Sequence, residues 1–371
     1  MKIKAEKKVL FDAVTPTLCA LSTKALIPAL ECIFFKAENN LLTVTGYDLA
    51  KGVRTETEIN VEESGALLLN AQKFSSIIRA LPDGMVDMTV DSDYKVTIVS
   101  GKIKFEILGL PTDGYPSIPE LSGDRGFEIP KGIMKKLCQQ VLFSVSVDEK
   151  RQNLTGVNFE VNSDKMTVVS CDGFRLSIRH ETVKCNELMQ FIVPGRTLSE
   201  LMKLLDDSDD TIGIQLTSKH IIMHFDNLFF FSRLIEGEYI DYMKPIPKDM
   251  GIEVRVKLDD IISSCERAGL VIDERVKSPV KVTVAPGGLL LSCDSVNGKV
   301  RDEIPASTEG QLDIGFNNRY LLDALRAAAL SGDDEVILRM KSPLVGMSLQ
   351  PVDHDSYFYL VLPVRLNDEN N

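Results

Sequence analysis

Apolar residues along the chain recur in two rhythms, strict alternation over five to eight positions and a 3.6-residue period over about ten. From the N-terminus these predict a strand at 2–6 and a helix at 8–22, divided or strained by Pro16. Alternating runs follow at 29–37, 41–46 and 53–61. In the last, Arg54, Glu56 and Glu58 alternate with smaller or apolar residues, as on a half-exposed strand. A helix at 73–81 precedes strands at 85–90, 94–100 and 103–108. The stretch 110–126, LPTDGYPSIPELSGDRG, is too rich in Pro and Gly for a helix or central strand and is a connector. The order then recurs: a strand and a helix at 131–143, strands at 157–161, 166–170 and 175–180, a helix at 196–205, and strands at 211–216, 220–225 and 228–234. After a second connector at 236–251 come a helix at 258–270, strands at 280–285, 289–293 and 298–304, and a helix at 319–330. Strands at 335–340, 346–350 and 357–364 end the chain.

The recurrence is a threefold internal repeat. NNRYLLDALRAAALS at 317–331 has looser copies in AQKFSSIIRALP at 71–82 and GRTLSELMKLLD at 195–206. Lys73, Arg196 and Arg319 open them at intervals of 123, and Asp48, Asp172 and Asp294 each follow a strand-like run at intervals of 124 and 122. Leu110 and Tyr115 match Leu234 and Tyr239 in the two connectors. We therefore expect an α+β fold of three repeated domains, 1–124, 125–250 and 251–371, each with two helices side by side on curved antiparallel sheets. Similar units joined by similar connectors turn by a similar amount each time, and an arc with matching ends closes as a ring.

Composition adds limits. The 371 residues are 44% hydrophobic and 26% charged, and no uninterrupted apolar run reaches the length of a signal or membrane segment. Seven cysteines, odd in number and without a CxxC, are expected as free thiols of a reducing cytosol, which predicts a cytoplasmic protein. A net charge of −12 argues against a protein that coats nucleic acid, but the predicted helices are net basic and the remainder more acidic than the whole. Such a surface holds a polyanion on one face and repels it elsewhere.

Candidate chemistry is sparse. His220 and His224 share a strand face but stand ~13 Å apart, too far for one ion. Asp172-Gly173 has no accompanying base or nucleophile and reads as a turn, with Asp48 and Asp294 as structural analogues. Gly101-Lys102 and Gly298-Lys299 lack the rest of a phosphate-binding loop. Asn153-Leu154-Thr155 is a glycosylation sequon by letter only, and the aromatic run 229–231 reads as a buried strand. We expect no catalytic site, metal or cofactor.

Three motifs carry a family resemblance: Cys171-Asp172-Gly173-Phe174-Arg175-Leu176 after a strand, Ile314-Gly315-Phe316-Asn317 before the last helix, and the terminal Leu360-Val361-Leu362-Pro363-Val364-Arg365-Leu366. With the length and the threefold repeat, the chain resembles the bacterial DNA polymerase III beta subunit, the sliding clamp and processivity factor. The resemblance implies a head-to-tail homodimer, six domains in a ring, with twelve helices lining a hole for double-stranded DNA. The repeat and the resemblance together make Lys24, Lys73, Arg79, Lys135, Lys136, Lys150, Arg196, Lys203, Arg319 and Arg326 the expected DNA-facing residues, with solvated surface charges as the alternative; Lys24, Lys73, Arg79 and Arg196 are the ones that match basic positions of the family. Against one phosphate charge per ~1.7 Å of duplex their field is weak, so DNA is centred without being read, and retention is topological. The resemblance also implies a pocket where replicative polymerase, clamp loader and repair proteins dock short linear motifs. Its walls are Leu154, Thr155, Gly173, Phe174, Arg175, Leu176, Ile240 and Pro245 on one side. On the other are Asn317, Tyr320, Leu344, Gly346, Met347, Leu360, Leu362, Pro363, Val364 and Arg365. Cys171 stands where threonine is common in the family and Phe174 where histidine is common, and a short acidic tail, 367–371, follows Leu366. The competing reading is a repeat-built peptide-binding scaffold that never encircles DNA; its basic helices would face open solvent.

Overall fold

The computed structural model describes residues 1–22, 27–123, 125–249, 251–272 and 278–366. Lys24 and the tail 367–371 lie outside the described residues. Among the described residues there are six α-helices, α1 (Lys7–Val14), α2 (Ala71–Ala80), α3 (Lys131–Val141), α4 (Gly195–Leu201), α5 (Leu258–Gly269) and α6 (Asn318–Ala329), and 25 strands. All named strand pairings are antiparallel, and the elements fall into three clamp domains of helices on sheets. The chain forms two compact units, Met1–Lys131 with Glu200–Leu234, and Gly132–Ser199 with Ile235–Asn371.

The first unit holds two sheets. A five-stranded sheet runs Asn60–Glu63, Lys2–Glu6, Met85–Val90, Lys95–Ser100, Ile103–Leu108. An eight-stranded sheet runs Arg125–Pro130, Thr211–Leu216, His220–Phe225, Leu228–Arg233, Lys51–Glu58, Leu41–Tyr47, Cys32–Glu38, Gly65–Asn70. Helices α1 and α2 pack together and bury Leu10, Val14, Phe74 and Ile78 against Ile3, Phe35, Leu42 and Val44. Because their apolar residues recur at three and four positions, one stripe of each helix is dry and the other stays free for charges.

The second unit is built on one twelve-stranded sheet. Its order is Met189–Pro194, Gly156–Asn162, Lys165–Cys171, Arg175–Thr182, Tyr357–Val361, Met347–Pro351, Glu335–Met340, Ile252–Lys257, Gly298–Ser307, Gly288–Ser295, Val280–Ala285, Leu312–Phe316. Helices α5 and α6 pack side by side here, with Leu258, Ile261, Leu321 and Leu325 in one core with Val254, Phe316 and Tyr359.

Several sequence expectations needed correction. The helix expected at 8–22 stops at Val14 and continues as a 3-10 helix, Thr15–Ala20, because Pro16 has no N–H to donate. Residues 29–31 belong to a 3-10 turn, Pro28–Glu31, rather than to the strand that follows. The helix expected to reach 205 ends at Leu201 in a tight turn, where Leu204 N–H bonds the Leu201 carbonyl at 2.9 Å. The run 357–364 ends as a strand at Val361. Asp48 and Asp172 do form equivalent turns, but Asp294 does not: it lies within Gly288–Ser295, opposite Lys299, and pairs with that amine at 2.5 Å.

Candidate functional site

The basic candidates are spread over both units. Lys73 and Arg79 lie on the exposed stripe of α2, Arg196 on α4, Lys203 just beyond it, and Arg319 and Arg326 on α6, all exposed. Lys150 is exposed in the 3-10 segment Glu149–Thr155, while Lys135 and Lys136 on α3 are half-buried. Four of these cations have carboxylate neighbours: Lys203–Glu200 at 2.8 Å, Arg326–Glu266 at 2.7 Å, Arg196–Glu149 at 3.6 Å and Arg319–Asp323 at 4.0 Å. Lys73, Lys136 and Lys150 have no carboxylate within ion-pair distance among the described residues, and Arg79 stands 6.0 Å over the Phe11 ring. Exposed pairs are worth less than about 1 kcal/mol, so a phosphate can displace the carboxylates, but they thin the positive field.

The apolar candidates meet in the second unit. Strand Arg175–Thr182 pairs with Tyr357–Val361, setting Leu176 opposite Leu360 and Arg175 opposite Val361. The turn into the first strand is made by Asp172, whose Oδ1 accepts the N–H groups of Phe174 at 2.8 Å and Arg175 at 2.9 Å. Gly173 takes φ +91° at its crest, where a Cβ would also stand 3.1 Å from Arg151 Nη1. Phe174 is thereby thrust outward, 59% exposed. Its carbonyl accepts the Leu362 N–H at 2.8 Å, and Val364 N–H bonds the Gly315 carbonyl at 2.8 Å. The chain after Val361 is thus slung between this turn and the edge strand Leu312–Phe316.

Beneath the rim, Leu154, Leu176 and Leu360 share a buried cluster with Cys171, against which Tyr239 and Tyr242 pack. Ile240, exposed between those tyrosines, and Pro245 border that segment, and Leu344, Leu362 and Val364 are exposed apolar residues of the C-terminal side. At Gly346 the two leucines press close on the backbone, since a Cβ there would lie 3.1 Å from Leu360 Cδ1 and Leu362 Cδ2. Met347 is buried opposite Val361 and supports the floor. Pro363 is half-buried and Arg365 exposed, while Thr155 turns its hydroxyl to the Gln152 carbonyl at 2.7 Å. Burial pushes the Cys171 thiol up, which keeps it protonated.

Helix α6 completes the site. Asn317 caps it, its Oδ1 accepting from Arg319 N–H at 3.0 Å and Tyr320 N–H at 3.4 Å, and so aims Tyr320. The Tyr320 and Phe174 rings are 6.1 Å apart, and the Arg175 guanidinium lies 4.2 Å over Tyr320 and 5.4 Å over Phe143. Arg175 donates through Nε to Asp172 at 3.0 Å and through Nη1 to Asp323 at 2.7 Å. Asp323 was absent from the sequence expectation; its only sequence signal is that it falls three residues after Tyr320, on the same helix face.

The first unit contains the same joint with different side chains. Asp48 accepts from Ala50 and Lys51 N–H at 2.9 and 2.7 Å, and Arg233 N–H bonds the Ala50 carbonyl at 2.8 Å. Where the second unit presents Phe174 and Leu362, this joint presents Ala50 and Arg233. The first joint exposes one large apolar side chain, Leu49 at the position of Gly173, and the second exposes the pair Phe174 and Leu362.

Family profiles match the chain in order: the N-terminal domain of the DNA polymerase III beta subunit over residues 1–119, its central domain over 128–241 and its C-terminal domain over 243–365. The beta sliding clamp of Bacillus subtilis is 31% identical over 98% of this chain and 100% of its own length. That of Staphylococcus epidermidis is 30% identical over 98% and 99%. The chain belongs to the DNA polymerase III beta subunit family and is a DNA sliding clamp. The solved sliding clamp of Bacillus subtilis superposes with a TM-score of 0.95 at 29% identity over 99% of this chain and all of its own. The beta subunit of Streptococcus pyogenes polymerase gives 0.93 at 26% over 99% and 100%. For a clamp, the two features to explain are the weak basic helix faces and the apolar patch around Phe174.

Proposed function

We propose that two copies of the chain close head to tail into a six-domain ring around double-stranded DNA, with domains bounded at 1–124, 125–250 and 251–371. In this reading the protein works in the cytoplasm, as part of the polymerase holoenzyme and without a catalytic site of its own. The exposed cations of α2, α4 and α6 centre the duplex loosely, and sliding follows from a field too weak to pin it. Replicative polymerase, clamp loader and repair proteins dock through short linear segments laid over Phe174, Tyr320, Leu344 and Leu362. The observation that carries the docking half is the exchange of Ala50 and Arg233 for Phe174 and Leu362 between two joints with the same backbone hydrogen bonds. Apolar anchors at a partly desolvated centre are what a peptide hot spot requires.

Two measurements test this. Sedimentation at micromolar concentration should give about twice the 41.2 kDa chain mass; a monomer contradicts the ring. Leu362→Glu should weaken binding of an apolar partner peptide by at least tenfold without changing that mass, since Leu362 is exposed. Leu176, 2% exposed in the floor, is unsuitable for this test because a charge there would attack folding first.

A further inference from the structure

The set of partners around Arg175 is the unusual feature of the docking patch. An arginine in a peptide-binding wall ordinarily attracts acidic side chains, because its fork matches a carboxylate. Here two of its three nitrogens are already engaged. Nε is engaged by Asp172 at 3.0 Å and Nη1 by Asp323 at 2.7 Å, and the guanidinium face is covered by Tyr320 at 4.2 Å. The residue is only 9% exposed and sits between the two carboxylates where screening by water is reduced, while the second cation near Asp323, Arg319 at 4.0 Å, is 84% exposed and screened by solvent. Asp172 is committed by its own turn, since its other oxygen holds two backbone N–H groups. Asp323, on α6 and 27% exposed, is the member that nothing in the turn requires.

We propose that Asp323 is a positioning and specificity-determining residue of the docking patch. Its carboxylate locks the Arg175 guanidinium beneath Tyr320 and cancels its charge, so that the patch selects uncharged apolar or aromatic anchors and rejects acidic ones. The inference rests on the proposed docking role of this patch and adds to it the chemistry of the segment accepted. Rejection is the physical point: a carboxylate entering here meets an arginine whose charge Asp172 and Asp323 already oppose, and is repelled by both of them. Phe174 and Tyr320, with rings 6.1 Å apart, leave an aromatic anchor as the favoured occupant.

The test uses the full chain and two probes: an uncharged hexapeptide with Leu and Phe as its only large side chains, and the same peptide with Phe replaced by Glu. Wild type is expected to bind the first and discriminate against the second. Asp323→Asn keeps the shape but frees Arg175 to take a carboxylate, and should shift the ratio of the two affinities by on the order of tenfold toward the acidic peptide. Asp323→Glu, which restores the charge, should restore the ratio. Arg319→Gln is the control for the second cation near Asp323, 4.0 Å away, and should leave the ratio unchanged. An unchanged ratio in Asp323→Asn, or equal loss of both peptides without rescue by Asp323→Glu, overturns the proposal. Failure of wild type to bind the apolar peptide would instead overturn the docking role itself.

Discussion

At the scale of single residues, position matters less than what each side chain has been given to hold. Phe174 is exposed because Gly173, at positive φ, turns it out of the sheet, and it faces Tyr320 rather than solvent alone. Phe174→Ala should therefore weaken an aromatic-anchored peptide several-fold while leaving thermal unfolding almost unchanged, as calorimetry and peptide titration would show together. The thiols behave in the opposite sense. Burial pushes Cys138 and Cys265 up to about 12. A thiol shifted that far is on the order of one part in 10⁴ thiolate at pH 8, so neither should alkylate in the native chain, and both should label once it is unfolded in denaturant. Mass spectrometry of labelled peptides reads this directly, and native labelling of Cys265 at the rate of an exposed thiol would show that α5 is not packed as described.

At the scale of elements, the helix starts carry the geometry of the site. Asn317→Ala removes the acceptor for two N–H groups of α6 and should cost about 1 kcal/mol in denaturant unfolding, with a larger loss in peptide affinity because Tyr320 is no longer aimed. Asn70 caps α2 in the same way, bonding Lys73 N–H at 3.0 Å, whereas Pro194 stands before α4 and its side chain has no oxygen to offer. A buried network ties α3 and α6 to the sheet of the second unit. Arg179 donates to Gln140 Oε1 at 2.7 Å and to the His180 and Ser356 carbonyls, while Gln140 Nε2 donates to the Ala327 carbonyl at 3.1 Å. Arg179→Met takes the donor from Gln140 Oε1, while the Ser356 carbonyl keeps the His180 N–H at 2.7 Å, and should destabilise the chain by about 1–3 kcal/mol.

The sequence showed most of these elements, because alternation and 3.6-residue periods are local. It did not show the strands Gly65–Asn70, Met189–Pro194 and Leu312–Phe316 as separate elements. Each runs into a helix with at most one residue between, so the change from a period of two to one of 3.6 falls inside a continuous run. The patch was legible only through family motifs. Its electrostatics were not, since Arg175 and Asp323 are 148 positions apart and meet only in the folded chain.

At the scale of the whole molecule, three clamp domains follow one another along the chain and are unequal in what they expose. The pairing of Lys51–Glu58 with Leu228–Arg233 and that of Arg175–Thr182 with Tyr357–Val361 are the same joint, yet one shows Ala50 and Arg233 and the other Phe174 and Leu362. Repetition supplies a scaffold whose basic helix faces recur, and local substitution sets Phe174 and Leu362 together at the second joint. The central claim is that the clamp stays on DNA by enclosure and not by affinity. Its most direct test is to load the protein onto nicked circular DNA, remove free protein, cut the circle once, and measure what remains bound. The account predicts stable retention on the circle and rapid loss after the cut, with little change between low and moderate salt. Equal retention on circular and linear DNA, or loss from both that follows salt alone, would contradict it.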